Sequence, residues 1–353
     1  MYDLTSWEKS DWTGLKDWPN DQFVDVFVIN YDLVWRRPEL TQLNDFTLML
    51  DESSLIQNET SKRAKFIIKK LQPTNTILLS GTPINGKYEQ LWSQCHLLGW
   101  SISKQLFYRQ YVVYEISPDG YPVISGYKNV DRLKRKLRQH GALFKKTEEV
   151  MDLPEQMFID VKLEETKDYK KFKKDWIVEL DETTLVGDTG LSRLLYSRML
   201  CSTYHKEKLE AFEDILNSTN DRLVVFYNFN NELDKLVEIC TRNERRMSFC
   251  NGKNKDLTNF EKDNSGVILV QYQAGAYGLN LQKANKIVYF SPPLSSELFE
   301  QSKKRIHRIG QQKPCFYYQL KSGIDHKIYD VLAMRKDYTD ELFEKEENKW
   351  TQH

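Results

Sequence analysis

Two apolar patterns alternate along the chain. Short, mainly apolar runs at residues 23–29, 46–50 and 76–79, and again at 223–227, 247–250, 267–270, 287–290 and 316–320, each end in polar or turn residues. Runs of this length fit strands covered on both faces, as in a parallel sheet. Amphipathic stretches lie between them. Residues 60–71 place Ala64, Ile67, Ile68 and Leu71 on one stripe, and Pro73 marks the end of that helix. Residues 206–216 and 231–240 read as helices, the second N-capped by Asn230, and Asp325 caps a closing helix through Met334. This order predicts an α/β protein with a right-handed βαβ unit in its first part and a doubly wound, five-stranded parallel sheet from Leu191 onward.

Residues 97–185 break the rhythm. Phe107, Tyr108, Tyr111 and Tyr114 recur at helical spacing, a stripe that fits a core better than a platform for stacking bases. Ser117, Pro118, Asp119 and Gly120 form a turn cluster. The stretch VDRLKRKLRQH (130–140) puts five Lys and Arg residues on one short helix, for which a solvated face is favoured over a DNA-backbone contact. Residues 181–190 are polar and glycine-bearing, a candidate mobile loop or boundary, and residues 1–22 are polar and Trp-rich with weak periodicity.

Composition narrows the class. Acidic and basic residues balance at 51 each, which argues against a polybasic binder while leaving room for a local basic groove. Aromatic content of 12% and hydrophobic content of 40% belong to a folded chain. Cys95, Cys201, Cys240, Cys250 and Cys315 are scattered without a C-x-x-C pair, so free thiols in a reducing compartment are expected, and no zinc site. The six histidines show no metal-ligand spacing either. No signal peptide or spanning apolar run is evident, which leads us to expect a soluble, cytoplasmic protein.

Three segments offer chemistry. Asp51-Glu52 ends the second early strand. It reads either as a helix N-cap with a first-turn acid, or as a Walker-B-like pair in which Asp51 holds magnesium through water and Glu52 orients or deprotonates the attacking water. Residues 81–87 mimic a P-loop as G-x-x-x-x-G-K, but Tyr88 replaces the required hydroxyl and the acidic pair precedes the segment rather than following it. In the third, apolar strand, glycine loop and second strand lead to a helix carrying Gln301, Arg305 and Arg308 (267–312). Two arginines three apart share one helical face, which makes either a phosphate clamp or a solvated basic helix end.

Taken in order, LMLDESSLIQN (48–58), ILLSGTPINGKYEQLWSQCHLLGW (77–100), AGAYGLNL (274–281) and QSKKRIHRIGQQK (301–313) resemble motifs II, III, V and VI of the Swi/Snf-type superfamily-2 helicases. Weaker matches fill the gaps: Asn30-Tyr31 before motif II, a basic and Leu-Pro stretch at 144–172, and RLVVFYNFNNELDKL (222–236) at motif IV. The resemblance covers residues 24–335. It implies an ATP-driven translocase on double-stranded DNA, built from two RecA-like lobes with a helical insertion between them whose protrusions help grip the duplex. The implied domains are a first lobe at 1–98, truncated at its N-terminus, an insertion or linker at 99–190, a second lobe at 191–335 and a charged tail at 336–353.

The resemblance also assigns roles. Asp51 and Glu52 would act on magnesium and water. Ser80, Thr82 and Asn85 of motif III, with Gly275 and Asn280 of motif V, would couple DNA to the nucleotide. Gly278, Gln301, Arg305 and Arg308 would contact ATP, the two arginines acting as fingers on the γ-phosphate across the lobe interface. Ser54 stands where the family usually has His, which is expected to weaken the link between motifs II and III, and Ser80 replaces a Thr. Asp51 is fifty residues from Met1, so the adenine-contacting segment, P-loop and motif Ia are expected to be missing. Three readings follow: a split or truncated translocase completed by another chain, an ATPase-dead DNA-binding or interaction module, and, least favoured, a complete enzyme with an unusual nucleotide site. The 257-residue span from Asp51 to Arg308 is short for eukaryotic remodellers and suggests a bacterial or phage protein.

Overall fold

The structure is a computed structural model that describes residues 2–4, 25–118, 120–145, 147–180, 183–275 and 278–343. The chain divides into two compact units, residues 1–145 with 337–353 and residues 146–336, each with its own apolar core. Most of the Trp-rich start and the end of the charged tail lie outside the described residues.

In the first unit, β1 (Tyr2–Asp3) pairs with β2 (Phe27–Val28), followed by α1 (Tyr31–Val34) with Asn30 as its side-chain cap. The expected βαβ unit is present. β3 (Thr47–Leu50) and β4 (Asn75–Leu78) pair in parallel, with Leu50 opposite Leu78, and α2 (Lys62–Lys69) crosses between them. Ser61 caps α2 by accepting the Ala64 N–H, and Ala64 and Ile67 pack with Val34, Leu50 and Ile56. Only one face of this strand pair is covered, since Met49 (59% exposed) and Ile77 (41%) point away from that core.

A second core in this unit joins α3 (Trp92–Leu97), α4 (Lys104–Tyr111) and α5 (Val130–Gln139) through Tyr88, Phe107, Tyr111, Leu133 and Leu137. The aromatic stripe is thus core at Phe107 and Tyr111, but the helix stops there and Tyr114 stands exposed on a strand. That strand, β5 (Val112–Ile116), forms an antiparallel hairpin with β6 (Pro122–Tyr127). Ser117 makes the turn by exchanging backbone bonds with Gly120 and Tyr121.

The second unit is organised by a seven-stranded sheet in the order β12-β11-β13-β10-β14-β15-β7. The five expected strands, β10 (Leu223–Tyr227), β11 (Met247–Cys250), β13 (Val267–Gln271), β14 (Lys286–Tyr289) and β15 (Cys315–Lys321), all run parallel. Two more join them: β7 (Gln156–Lys162), parallel at one edge, and β12 (Lys255–Asp256), antiparallel at the other. The stretch expected to be helical therefore also supplies strands. It contributes β7 and, after α6 (Lys167–Asp175), a hairpin of β8 (Ile177–Leu180) and β9 (Thr183–Val186) where a mobile loop was expected at 181–190.

Alternation along the strands explains the mainly apolar runs. Val224, Phe226, Ile268, Val270, Ile287 and Tyr289 face one core, where α10 (Thr258–Lys262), α11 (Tyr272–Gly275), α12 (Ser296–Lys303) and α13 (Ile324–Phe343) pack. Leu223, Val225, Tyr227, Leu269 and Val288 face the other, beneath α8 (Lys206–Asn217) and α9 (Asn230–Arg242). All five residues of β10 are fully buried, and each large apolar one contributes roughly 1.5–3 kcal/mol. The closing helix runs past Met334 because no Gly or Pro interrupts residues 324–343.

Two buried polar networks hold this unit together. Glu232, fully buried, reaches back to accept the N–H groups of Asn228 and Phe229 and the hydroxyl of Ser291. It replaces Asn230 as the cap of α9, since Asn230 is the first helical residue. Burial pushes its carboxyl above the usual range. These bonds bridge the carboxyl ends of β10 and β14, the crevice where the chain switches sides of the sheet, and they close it.

The second network surrounds α7 (Gly190–Leu200) and its turn into α8. Lys208 Nζ lies 2.6 Å from Asp325 Oδ2 and donates to the Cys201 carbonyl, with both side chains at most 1% exposed. Asp325 was expected only as a cap. It does accept the Ser322 N–H, but its main partner is this ammonium. His205 Nδ1 accepts the Lys208 N–H, so Nε2 carries the proton and donates to the Glu164 carbonyl and Ser322. Burial lowers its pKa and keeps it neutral.

Lys208→Met leaves a buried carboxylate without its cation and should cost about 3–5 kcal/mol, whereas Lys208→Met with Asp325→Leu should recover most of that loss. Urea unfolding midpoints measure both. A depressed imidazole pKa supplies stability that is complete above the ordinary value of 6.5 and is lost as pH falls through the lower folded value. Unfolding midpoints should therefore decline as pH falls below about 6.5 and level off once it is beneath the folded value, and His205→Gln should remove this component of the slope.

Candidate functional site

In the first unit the candidate residues lie on the loops after β3 and β4. Leu79 N–H donates to Leu50 O and Ser53 N–H to Leu79 O, so the parallel pairing continues past the strand ends and sets the two loops side by side. Asp51 Oδ1 accepts the Glu52 N–H at 3.0 Å, and Glu52 adopts φ +51°, a left-handed conformation unusual for a residue with a Cβ. The cap reading is met only in part, since Glu52 sits at the cap position of a short 3-10 turn without a side-chain capping bond.

In the neighbouring loop Ser80 Oγ accepts the Thr82 N–H, while Asn85 and Gly86 turn the chain with positive φ. Thr82 is buried, whereas Ser80 and Asn85 are partly exposed. Two glutamines link these loops. Gln57 Nε2 and Gln94 Nε2 both donate to the Pro83 carbonyl, at 2.9 and 2.6 Å, and the Ser53 hydroxyl donates to Gln94 Oε1. Tyr31, whose hydroxyl donates to the Asp51 carbonyl at 2.8 Å, steadies the acidic loop from beneath. Burial, and then the Asp51 and Glu52 charges, push its pKa up and keep it a donor.

The second unit brings Gly275, Gly278, Asn280, Arg305 and Arg308 into one constellation after β13. A Cβ on Gly275 would lie 1.9 Å from Val270 Cγ1, so close packing against its own strand requires glycine there. Gly278 has φ +74°. Ala276 and Tyr277 fall outside the described residues. Arg305 and Arg308 do not sit on a helix as expected. α12 ends at Lys303, and both arginines lie in the turns that follow. Their convergence comes instead from the glycine loop. Arg305 O accepts the Leu281 N–H, and both guanidiniums donate to Leu279 O, at 3.3 and 3.4 Å.

Arg308 also donates to the Asn280 side chain. It is half-buried, and among the described residues its partners are neutral oxygens with no carboxylate. Two cations meeting at one carbonyl repel each other, and a multiply charged anion would relieve that repulsion. Gln301 stands apart from this cluster: it is buried in α12 and donates to Glu297. Two residues not singled out from sequence complete the frame. Gln311 Nε2 donates to Gln282, Ala284 and Ile306 carbonyls, and His307 Nε2 donates to Pro154 O at 2.9 Å. Gln311 lies inside the Q-x-x-x-R-x-H-R-x-G-Q pattern, which is the only sequence signal that pointed to it.

Among the described residues no cluster of three or more His, Cys, Asp or Glu is arranged to hold a metal. A magnesium ion held by one carboxylate, water and substrate phosphates needs no such cage, and Asp51, exposed and on a strand-end loop, suits that role. No helix among the described residues is long and apolar enough to cross a membrane.

Residues 207–310 match the helicase conserved C-terminal domain. A putative ATP-dependent helicase/translocase of Bacillus subtilis is 25% identical over 91% of this chain and 38% of its own length. A DNA repair and recombination protein of Saccharomyces cerevisiae is 24% identical over 83% of this chain and 31% of its own length. This chain thus spans about a third of the length of these curated relatives. Among solved structures, the Sulfolobus solfataricus SWI2/SNF2 ATPase core in complex with double-stranded DNA aligns over 90% of this chain and 72% of that one, at 20% identity and a TM-score of 0.39. The SNF2-related domain family matches residues 15–207, more than half of the sequence, and the chain belongs to that family.

Proposed function

We propose that this chain is part of an ATP-dependent double-stranded-DNA translocase, and that it hydrolyses ATP only when a P-loop-bearing segment is supplied, by a separate chain or a longer form of this one. The observation that carries this reading is the paired Arg305 and Arg308, held on one carbonyl, with no carboxylate on Arg308 among the described residues. A γ-phosphate has the charge and the oxygen geometry to occupy such a pair. In this reading Arg305 and Arg308 stabilise the charge that develops on the transferred phosphoryl group. Glu52 orients the attacking water and takes its proton. Asp51 would hold magnesium through water, which would supply neutralisation of phosphate charge. Ser80, Thr82 and Asn85 on one loop, and Gly275, Gly278 and Asn280 on the other, tie DNA contact to the nucleotide.

The dependence on another segment is inferred from the sequence, in which no stretch reads G-x-x-x-x-G-K-[ST]. Residues 81–87 come nearest, but Tyr88 follows them and their loop is spent on the Pro83 carbonyl that Gln57 and Gln94 hold. The exposed side of β3 and β4, at Met49 and Ile77, offers an apolar surface on which further strands could pack. The same missing pattern favours a second reading, an ATPase-dead module that binds DNA or protein.

Phosphate release measured with duplex DNA separates the two. The purified chain should release negligible phosphate alone and show DNA-stimulated release when a P-loop segment is added. Glu52→Gln should then reduce kcat about 10²–10⁴-fold, and Arg308→Lys should reduce it roughly 10³-fold or more. Robust turnover by the chain alone would overturn the dependence. Duplex binding without turnover under either condition would select the second reading. Duplex affinity should survive Arg308→Ala and fall steeply with salt, because phosphate contacts dominate it.

A further inference from the structure

The hairpin of β5 and β6 is the most exposed apolar feature of the first unit. Cross-strand pairing sets Tyr114 opposite Ile124 and Ile116 opposite Pro122, so these side chains share one face. Tyr121 stands at the tip. Ile116 and Tyr121 are each 71% exposed and Tyr114 47%. A two-stranded hairpin is marginal in water by itself, and an uncovered apolar face on one marks a contact surface. The arm extends about 16 Å from its base at the usual strand rise.

Charge indicates what would cover it. The chain carries no net charge, yet residues 101–145 hold nine Lys and Arg against three acids. Much of that excess begins at the base of the hairpin. Lys128 follows β6 directly, its N–H donates to Tyr111 O, and the Asn129 side chain donates to Gln110 O. Asn129 starts α5, whose Leu133 and Leu137 share a core with Phe107 and Tyr111 of α4. The outer side of α5 presents Arg132, Arg135 and Arg138 at a spacing of three, all exposed.

An occupant must therefore combine negative charge with flat apolar surface. An acidic protein could supply both only by coincidence of patches, whereas nucleic acid carries phosphates and base faces in one polymer. Intact duplex hides its base faces inside the stack. Unpaired bases expose them, and aromatic side chains beside a basic groove are the means by which single strands are held.

We propose that residues 101–145 form an arm that engages DNA where bases are unpaired. Lys128 and the outer face of α5 hold the phosphates, and Tyr114, Ile116 and Tyr121 pack on the exposed bases. The arm biases the protein toward forked or frayed DNA over uniform duplex. This rests on the reading of the chain as DNA-acting and adds the substrate structure that it selects.

The test compares the full chain on blunt duplex and on the same duplex with two non-complementary single-stranded arms, by fluorescence anisotropy across a salt series. Forked DNA should bind roughly 5- to 100-fold tighter, the range that one stacked base commands. Tyr121→Ser with Ile116→Ser should bring fork affinity down to the blunt-duplex level and leave blunt-duplex binding within about twofold, since phosphate contacts are untouched. Lys128→Gln with Arg132→Gln should weaken both substrates alike and flatten their salt dependence. Equal affinity for the two DNAs, or a fork preference that survives the hairpin substitutions, overturns the inference and leaves the translocase reading standing. Absence of any DNA binding overturns both. A dimer in light scattering that the hairpin substitutions dissociate would show that a second copy covers this face, and would also overturn the inference.

Discussion

Burial of the parallel sheet on both faces constrains everything else in the second unit. Val224, Phe226, Ile268 and Ile287 are committed to one side, and Val225, Leu269 and Val288 to the other. The middle of these central strands carries only apolar side chains committed to one core or the other. The strand ends are the places where polar groups can gather without a desolvation penalty, and the loops there divide into two kinds. After β10 and β14, Asn228, Glu232 and Ser291 satisfy one another and close the crevice. After β13, the chain leaves two guanidiniums meeting at a single carbonyl. The first network closes on itself, and the second gathers positive charge on one carbonyl.

The glycine loop and the arginine turns depend on each other. Gly275 lets the chain turn back against Val270, which delivers the Leu279 carbonyl and the Leu281 N–H to the turns after α12. Arg305 answers with its own carbonyl, so the backbone of one element positions the side chains of the other. Gln311 and His307 extend the same bracing, to the loop before β14 and to Pro154. A change in either element therefore reaches the guanidiniums through hydrogen bonds of fixed length. In the first unit the Pro83 carbonyl plays the corresponding part, with Gln57 and Gln94 bridging the loops that bear Asp51 and Ser80.

Much of this was legible in the sequence where a short-range rule applied. Apolar runs at 223–227, 267–270 and 287–290 read as doubly covered strands because burial on both faces leaves no polar alternation. The motif order identified the acidic pair and the arginines. The helical reading of Arg305 and Arg308 failed because a tertiary hydrogen bond to Leu281 competes with the next helical turn. The partnership of Lys208 with Asp325 was hidden for a related reason. The two lie 117 residues apart, and a lysine on a polar-looking helix carries no mark of burial. Gln57 and Gln94 escaped notice because an amide serving a carbonyl across loops has no spacing signature. Tyr114 was misread as part of a helical stripe, since it continues the spacing of Phe107 and Tyr111 by accident.

The left-handed backbone of Glu52 has a consequence for how this protein can change. A carboxylate side chain holds a conformation that glycine or asparagine would adopt with less strain, at a cost of order 1–3 kcal/mol. Drift toward stability alone would erase the acid at this position, and a library screened only for heat resistance should enrich glycine there. A glutamate in this backbone thus carries a conformational cost that only a role for its carboxylate would repay.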